Sequence, residues 1–284
     1  MQTKLILDAK TWLGEGPAWD AEAQTLYWVD ILNKRVYAGV ELLAELDEFI
    51  GCLAPCQNGH LIVGKRFSFV DFDPSTKKET ILVDLKSEPR TNRINDGKCD
   101  PAGRFIAGSM DINEKDPNGF LYSFDGKQTT ALLDQITISN GLAWSPNHKI
   151  FYYIDTPTRL VKAFDYDLKS GQIANSRTAI DIADTLGWPD GMTSDTDGNL
   201  WIAMWGGAQV TKWNPNTGKL LDQVAVPALH TSCPVFGGKD LNELYITSAR
   251  KDMSAEDLIK YPLSGGLFKV ETKVVGMPTF KFGN

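Results

Sequence analysis

The sequence lacks the features of several large protein classes. It has three histidines and four cysteines in 284 residues, and no two cysteines form a CxxC pair. Four cysteines in a chain of this length do not make a disulfide framework, so we expect buried free thiols. No Ser-His-Asp arrangement stands out, which disfavours a serine hydrolase.

Long apolar runs are also missing. No stretch approaches the roughly 18 residues that a membrane span requires. The first residues, MQTKLILDAK, contain too short an apolar run for a signal peptide. Lys and Arg total 29 against 36 Asp and Glu, a net charge of −7, which disfavours binding to a phosphate backbone. We therefore expect a cytoplasmic protein that binds neither membrane nor nucleic acid, with no obligate protein partner.

Helical periodicity is almost absent. Instead the chain contains short apolar runs rich in aromatic and β-branched residues, separated by turn signals such as Asn58-Gly59 and Asp197-Gly198. This pattern predicts an all-β protein with many short strands. One segment, Ser254 to Lys260, is expected to form a short helix because Ser254 and Asp257 resemble a capping box.

A repeated unit precedes six of the apolar runs. Each unit has a polar or small residue, two or three strand residues, a turn and then a buried strand. Its first residues are spaced by 37 to 50 positions, at Glu15, Cys52, Asp96, Asn140, Asp190 and Ser232. A period near 40–50 residues predicts a six-bladed β-propeller that occupies residues 1–284 as a single domain. We expect Lys4–Asp8 to complete the sheet of Leu267–Val270, so that the ring closes.

Propeller geometry would bring the first residues of the six units to one mouth of the central channel. Three of them are carboxylates and a fourth, Asn140, is a carboxamide. Carboxylates held that close repel one another, and a bound cation is the simplest neutraliser. Oxygen ligands favour Ca²⁺, Mg²⁺ or Mn²⁺, and Zn²⁺ also accepts carboxylates. The sequence thus predicts a site for one divalent cation whose identity stays open.

Several of these motifs together resemble the senescence-marker/gluconolactonase/regucalcin family. They occur in the right order over nearly the whole chain, from Leu13 to about Val270. They are Gly14-Glu-Gly-Pro-Ala-Trp19, Asn92-Arg-Ile-Asn-Asp-Gly-Lys98, Ile138-Ser-Asn-Gly-Leu-Ala-Trp144, Phe151-Tyr-Tyr-Ile-Asp155, Pro189-Asp-Gly-Met192 and Phe236-Gly-Gly238. The resemblance implies a six-bladed propeller that binds a divalent metal at the channel mouth and hydrolyses lactones of sugar acids.

The resemblance also implies roles for particular residues. The family's metal ligands correspond to Glu15, Asn140 and Asp190. Its substrate contacts correspond to Arg93 and Asn95, while a further contact, a Glu in the family, falls at Asn113. The loop spanning residues 111–118 therefore departs from the family's pattern at a position that contacts substrate.

The expected chemistry follows from this ligand set. A metal with open positions acts as a Lewis acid on the lactone carbonyl and lowers the pKa of a bound water. A base must take the proton of that water; we favour Asp190, with Asp96 as the alternative. The predicted function is therefore a metal-dependent sugar lactonase with a small-molecule lactone substrate. A non-catalytic calcium-binding regulatory protein, a role also proposed within the family, is the alternative.

Overall fold

Six four-stranded antiparallel sheets surround a central axis in the computed structural model, which describes residues 1–283. The first strand of the chain, β1 (Lys4–Leu7), belongs to the last blade. The first blade consists of β2 (Gly14–Asp20), β3 (Thr25–Asp30), β4 (Arg35–Ala38) and β5 (Glu41–Glu45). The second consists of β6 (Ile50–Pro55), β7 (Leu61–Lys65), β8 (Ser68–Phe72) and β9 (Glu79–Asp84).

The third blade consists of β10 (Asn92–Cys99), β11 (Phe105–Asp111), β12 (Gly119–Phe124) and β13 (Thr129–Ile136). The fourth consists of β14 (Ser139–Trp144), β15 (Ile150–Asp155), β16 (Leu160–Tyr166) and β17 (Ile173–Asp181). The fifth consists of β18 (Trp188–Ser194), β19 (Leu200–Trp205), β20 (Gln209–Asn214) and β21 (Lys219–Ala225). The sixth consists of β22 (His230–Gly237), β23 (Glu243–Ala249), β24 (Leu267–Glu271) and β1. The predicted all-β, six-bladed propeller is therefore confirmed.

Burial decreases from the axis of the ring to its outside. All residues of the inner strands β2, β6, β14 and β22 are buried, whereas β9 and β21, at the outer edges of their blades, are mostly exposed. Each inner strand packs against the inner strands of the two neighbouring blades. Apolar side chains between successive sheets form the core, as expected for a propeller that buries both faces of each blade.

The ring is closed by pairing between the two ends of the chain. Strand β1 runs antiparallel to β24, with Lys4 opposite Lys269 and Leu5 opposite Phe268. This arrangement confirms the expected closure and covers an edge of the sixth blade that would otherwise present unpaired backbone groups. The short helix α1 (Ala255–Lys260) begins at Ser254 with the capping box that the sequence predicts.

The segment after β24 crosses one end of the channel. The amide of Met277 donates to the Ser194 carbonyl at 2.9 Å, and that of Phe282 donates to the Pro55 carbonyl at 2.8 Å. A cavity of only about 40 Å³ remains beneath residues 277–280. The larger opening of the channel is therefore at the opposite end.

All four cysteines are buried and free of disulfides. In the part of the chain that the structure describes, no helix is long and apolar enough to cross a membrane.

Deleting residues 1–8 is expected to destabilise the fold, because β24 then loses its antiparallel partner. We expect the free energy of unfolding to fall by about 2–4 kcal/mol in denaturant titrations, from lost backbone pairing and burial. Deleting residues 1–3, which precede β1, is the matched control and is expected to cost far less. Equal losses for the two deletions would contradict the role given to β1.

Candidate active site

A cavity of about 250 Å³ lies at the open end of the channel. Residues from inner strands and from the loops around them line it: Leu13, Glu15, Arg93, Asn95, Met110, Glu114, Ile138, Asn140, Thr156, Pro157, Trp188, Asp190, Trp205, Lys251 and Asp252. Its wall combines apolar and aromatic side chains with a few converging polar groups, which is typical of a small-molecule site.

The pairing of each inner strand is interrupted at the repeat position. The register between the first and second strands shifts once in every blade, for example between Glu15 and Ala18, and between Pro189 and Met192. All six repeat positions fall at or inside such a shift. A bulge bends the strand and turns a side chain out of the alternating pattern, which is why bulges often accompany active sites.

Two glycines let the inner strands approach closely beside these side chains. Gly141 has φ +33°, and a Cβ there would lie 2.8 Å from the Asp190 carbonyl oxygen. A Cβ on Gly191 would lie 2.4 Å from the Cys233 sulfur. A larger residue at either position would push neighbouring blades apart, so the Asn-Gly and Asp-Gly pairs are a steric requirement of the narrow ring.

Three carboxyl groups are buried together near the axis. Burial, and then the charge of Asp96, raise the pKa of Glu15 to about 8. Burial first, followed by the charges of Glu15 and Asp96, raises the pKa of Asp190 well above its usual range. The pKa of Asp96 is also raised, chiefly by burial, and its Oδ2 atom has no hydrogen-bond partner. The neighbouring charges of Arg93 and Lys98 oppose these shifts without cancelling them, so the group still favours a bound cation.

The side chain of Asn140 is oriented by successive hydrogen bonds. Its Nδ2 donates to Thr156 Oγ1 at 2.9 Å, and that hydroxyl in turn donates to the Pro189 carbonyl at 2.8 Å. Because the Thr156 proton is committed to Pro189, the hydroxyl must accept from Asn140. The Oδ1 of Asn140 is left to accept from Asn95 Nδ2 at 2.9 Å and keeps a second lone pair for a ligand.

The residues present fit a hard divalent cation. Glu15, Asn140 and Asp190 supply carboxylate and amide oxygens to one cavity, and these are oxygen ligands that Ca²⁺, Mg²⁺ and Mn²⁺ accept. Between residues 1 and 283 no cluster of three or more His, Cys, Asp or Glu side chains is arranged for a metal. The predicted ligand set does not count as such a cluster, because Asn140 is an amide and only Glu15 and Asp190 are acidic.

Arg93 brings a positive charge to the same cavity although its side chain is buried. Its Nη1 donates to Asn95 Oδ1 at 2.6 Å and to the Ile94 carbonyl at 3.1 Å. Burial lowers the pKa of Arg93 to about 10, so the guanidinium stays charged at neutral pH. Asn95 is thereby linked both to Arg93 and to Asn140.

The predicted site residues differ in their position relative to the cavity. Glu15, Arg93, Asn95, Asn140 and Asp190 all line it. By contrast, Asp96 is buried outside the lining, where Oδ1 accepts from the Gly97 amide at 2.7 Å.

Asn113 is exposed and lies outside the cavity, and its Nδ2 is 3.4 Å from Asp111 Oδ1. The next residue, Glu114, lines the cavity and accepts from Lys251 Nζ at 2.8 Å. Sequence reasoning missed both Glu114 and Lys251. Glu114 could have been found from the sequence, because the family's substrate contact in this loop is a glutamate and Glu114 directly follows Asn113.

Comparison with known proteins finds relatives over nearly the whole length of the chain. Residues 13–250 match the family model described as SMP-30/Gluconolactonase/LRE-like region. Regucalcin of Danio rerio is 38% identical over 293 residues, covering 99% of this chain and 98% of its own. A luciferin-regenerating enzyme structure has a TM-score of 0.91 at 31% identity, covering 100% and 99% of the two chains. The structure of regucalcin from Agrobacterium tumefaciens, described as calcium-binding, has a TM-score of 0.95 at 25% identity and covers 100% and 98%.

The buried carboxyls predict an unusual dependence of stability on pH. Without a cation, folded Glu15 keeps a proton up to about pH 8, whereas the unfolded polypeptide loses it near the ordinary value of about 4.3. The free energy of unfolding should therefore decrease as the pH rises from about 4.5 to 8, since the folded state binds more protons.

Denaturant titrations at pH 5, 6.5 and 8, with chelator and with Mn²⁺, test this dependence. Added Mn²⁺ should stabilise most at pH 8, because a cation binds the deprotonated form. Glu15→Gln should flatten the decrease in chelator and weaken the Mn²⁺ effect. A wild-type slope in Glu15→Gln would contradict the assignment.

Proposed function

The chain belongs to the SMP-30/gluconolactonase/LRE-like family, and from this premise we propose that it hydrolyses lactones of sugar acids with one divalent cation. The observation that carries the proposal is the joint placement of Glu15, Asn140 and Asp190 beside Arg93 in one open cavity. Such a site offers oxygen ligands for a cation and hydrogen-bond donors for a polyhydroxylated substrate.

Glu15, Asn140 and Asp190 would hold the cation. The cation supplies Lewis acidity toward the lactone carbonyl and its attacking water. The fixed orientation of Asn140 keeps its amide oxygen available without further rearrangement. This preorganisation reduces the cost of assembling the site when substrate arrives.

Arg93 and Asn95 would bind the substrate. The guanidinium has donors beyond the Nη1 that bonds to Asn95 and Ile94, and arginine cannot ligate a cation. It is therefore suited to substrate hydroxyls and to the negative charge that develops on the carbonyl oxygen during attack. The Asn95–Asn140 bond connects this substrate side of the cavity to the cation side.

Asp190 would act as the general base. During hydrolysis water attacks the carbonyl carbon and its proton passes to a carboxylate oxygen of Asp190. The ring C–O bond then breaks and Asp190 returns the proton to the departing ring oxygen, which gives the open hydroxy acid. Burial raises the pKa of Asp190 in the protein without a cation, and the charge of a bound cation would keep the carboxylate ionised, as a base must be. Asp96 is less suited to this role because it lies outside the cavity lining.

Hydrolysis of δ-gluconolactone, followed by pH-stat, tests the proposed reaction. We expect activity well above spontaneous hydrolysis, loss of that activity in chelator, and recovery to different extents with Mn²⁺, Zn²⁺, Ca²⁺ or Mg²⁺. Full activity in a verified metal-free sample would contradict the dependence on a cation. Calcium binding without hydrolysis of any aldonolactone would instead favour the regulatory alternative.

The two roles of Asp190 can be separated by substitution. Asp190→Asn keeps a ligating oxygen but removes the base, so kcat should fall roughly 10²-fold or more at saturating metal while metal affinity is largely kept. Asp190→Ala should lose metal and activity together. Asp197→Asn, the same change at an exposed turn position, is the control. A near-normal kcat in Asp190→Asn would leave Asp190 as a ligand only.

A further inference from the structure

The fifth blade places two indoles opposite each other at the cavity. Trp188 at the start of β18 pairs directly with Trp205 at the end of β19, and both line the cavity. Trp205 packs against His230, with ring centroids 4.2 Å apart. Trp188 is 43% exposed, so a large apolar ring system at the cavity remains accessible to solvent.

Arg159 holds Trp188 in position from the neighbouring blade. Its guanidinium carbon lies 3.7 Å from the centroid of the Trp188 ring. The same guanidinium donates from Nη1 to the Gly187 carbonyl at 2.8 Å and pairs through Nε with Asp184 at 3.0 Å. One arginine therefore stacks on the indole and fixes the loop that precedes it. Arg159 does not itself line the cavity.

The short loop before Trp188 is constrained by the backbone as well. Gly187 has φ +101°, and a Cβ there would lie 2.7 Å from the Trp205 carbonyl oxygen. Only glycine fits this approach between β18 and β19. The indole of Trp188 is thus held by rigid neighbours, although solvent reaches it.

We propose that Trp188 is a stacking platform for the ring of a cyclic sugar lactone, and that Arg159 is the positioning residue that keeps the platform in place. This deepens the proposed function and rests on it for the identity of the substrate. A six-membered sugar ring carries C–H groups on its faces, which pack well against an aromatic face, while its hydroxyls require polar partners. Arg93 and Asn95 supply such partners in the same cavity, and the flat face of Trp188 favours a ring over an extended polyol.

The guanidinium strengthens the platform in a way that lysine does not reproduce. Arginine is planar, stacks on aromatic faces and donates at fixed angles to two acceptors at once. Lysine would keep the charge at position 159 but would lose the planar stacking and the paired contacts with Gly187 and Asp184. Arg159→Lys therefore isolates the positioning role from the charge.

Steady-state kinetics with δ-gluconolactone is the first part of the test. Trp188→Ala should raise KM about tenfold with kcat changed less than about threefold, because stacking binds substrate and transition state alike. Trp188→Phe should recover part of the loss, and Arg159→Lys should raise KM about threefold. Trp12→Ala is the matched control, because Trp12 is 46% exposed and does not line the cavity. Thermal unfolding of each variant checks that the fold is intact.

Ligand binding without turnover is the second part of the test. Saturation-transfer NMR with 1,5-anhydroglucitol, a sugar ring without a carbonyl, should show transfer strongest to the protons of one ring face. The transfer should disappear in Trp188→Ala, persist in Trp12→Ala and be much weaker with the acyclic polyol glucitol. If the wild type hydrolyses no lactone yet shows this transfer, the proposed function fails and the platform stands. An unchanged KM together with unchanged transfer in Trp188→Ala would overturn the platform.

Discussion

Burial of three carboxyl groups around one axis is the constraint on which the rest of the site depends. Glu15, Asp96 and Asp190 are each at most 6% exposed, and each has a raised pKa because of burial. Keeping such groups ionised in a poorly solvated channel is costly without an opposite charge. Arg93 and Lys98 supply part of that charge. A bound cation would supply the rest, and the ready-oriented amide oxygen of Asn140 favours such binding.

The rest of the molecule maintains this arrangement against repulsion and strain. Register shifts in all six inner strands fall at the repeat residues, while Gly141 and Gly191 allow the strands to approach. Pairing of β1 with β24 closes the ring, and residues 277–280 cover its far end. The irregular backbone of the inner strands is thus held in place by the regular strand pairing around it. Such strained backbone is common at functional sites.

The regular repeat made the fold and the residues of the inner strands predictable from the sequence. The positions of the loop residues were not predictable in this way. A polar residue before each buried strand placed Glu15, Asn140 and Asp190 at one end of the channel, and the structure brings all three to one cavity. The loop residue Glu114 was missed because its direction depends on a turn with φ +60° and on Lys251, which is 137 positions away in the sequence. The stacking of Arg159 on Trp188 likewise joins two blades and leaves no periodic signal in the sequence.

The most direct test of the central claim is anomalous diffraction from crystals soaked in Mn²⁺. A cation that neutralises the buried carboxyls should give one strong peak per protein molecule, roughly 2.0–2.6 Å from oxygen atoms of Glu15, Asn140 and Asp190. The peak should vanish in crystals of Asp190→Ala. A fully occupied Mn²⁺ elsewhere, or no peak in the cavity at saturating Mn²⁺ and pH 8, would contradict the claim that this ring of oxygens is built around a metal.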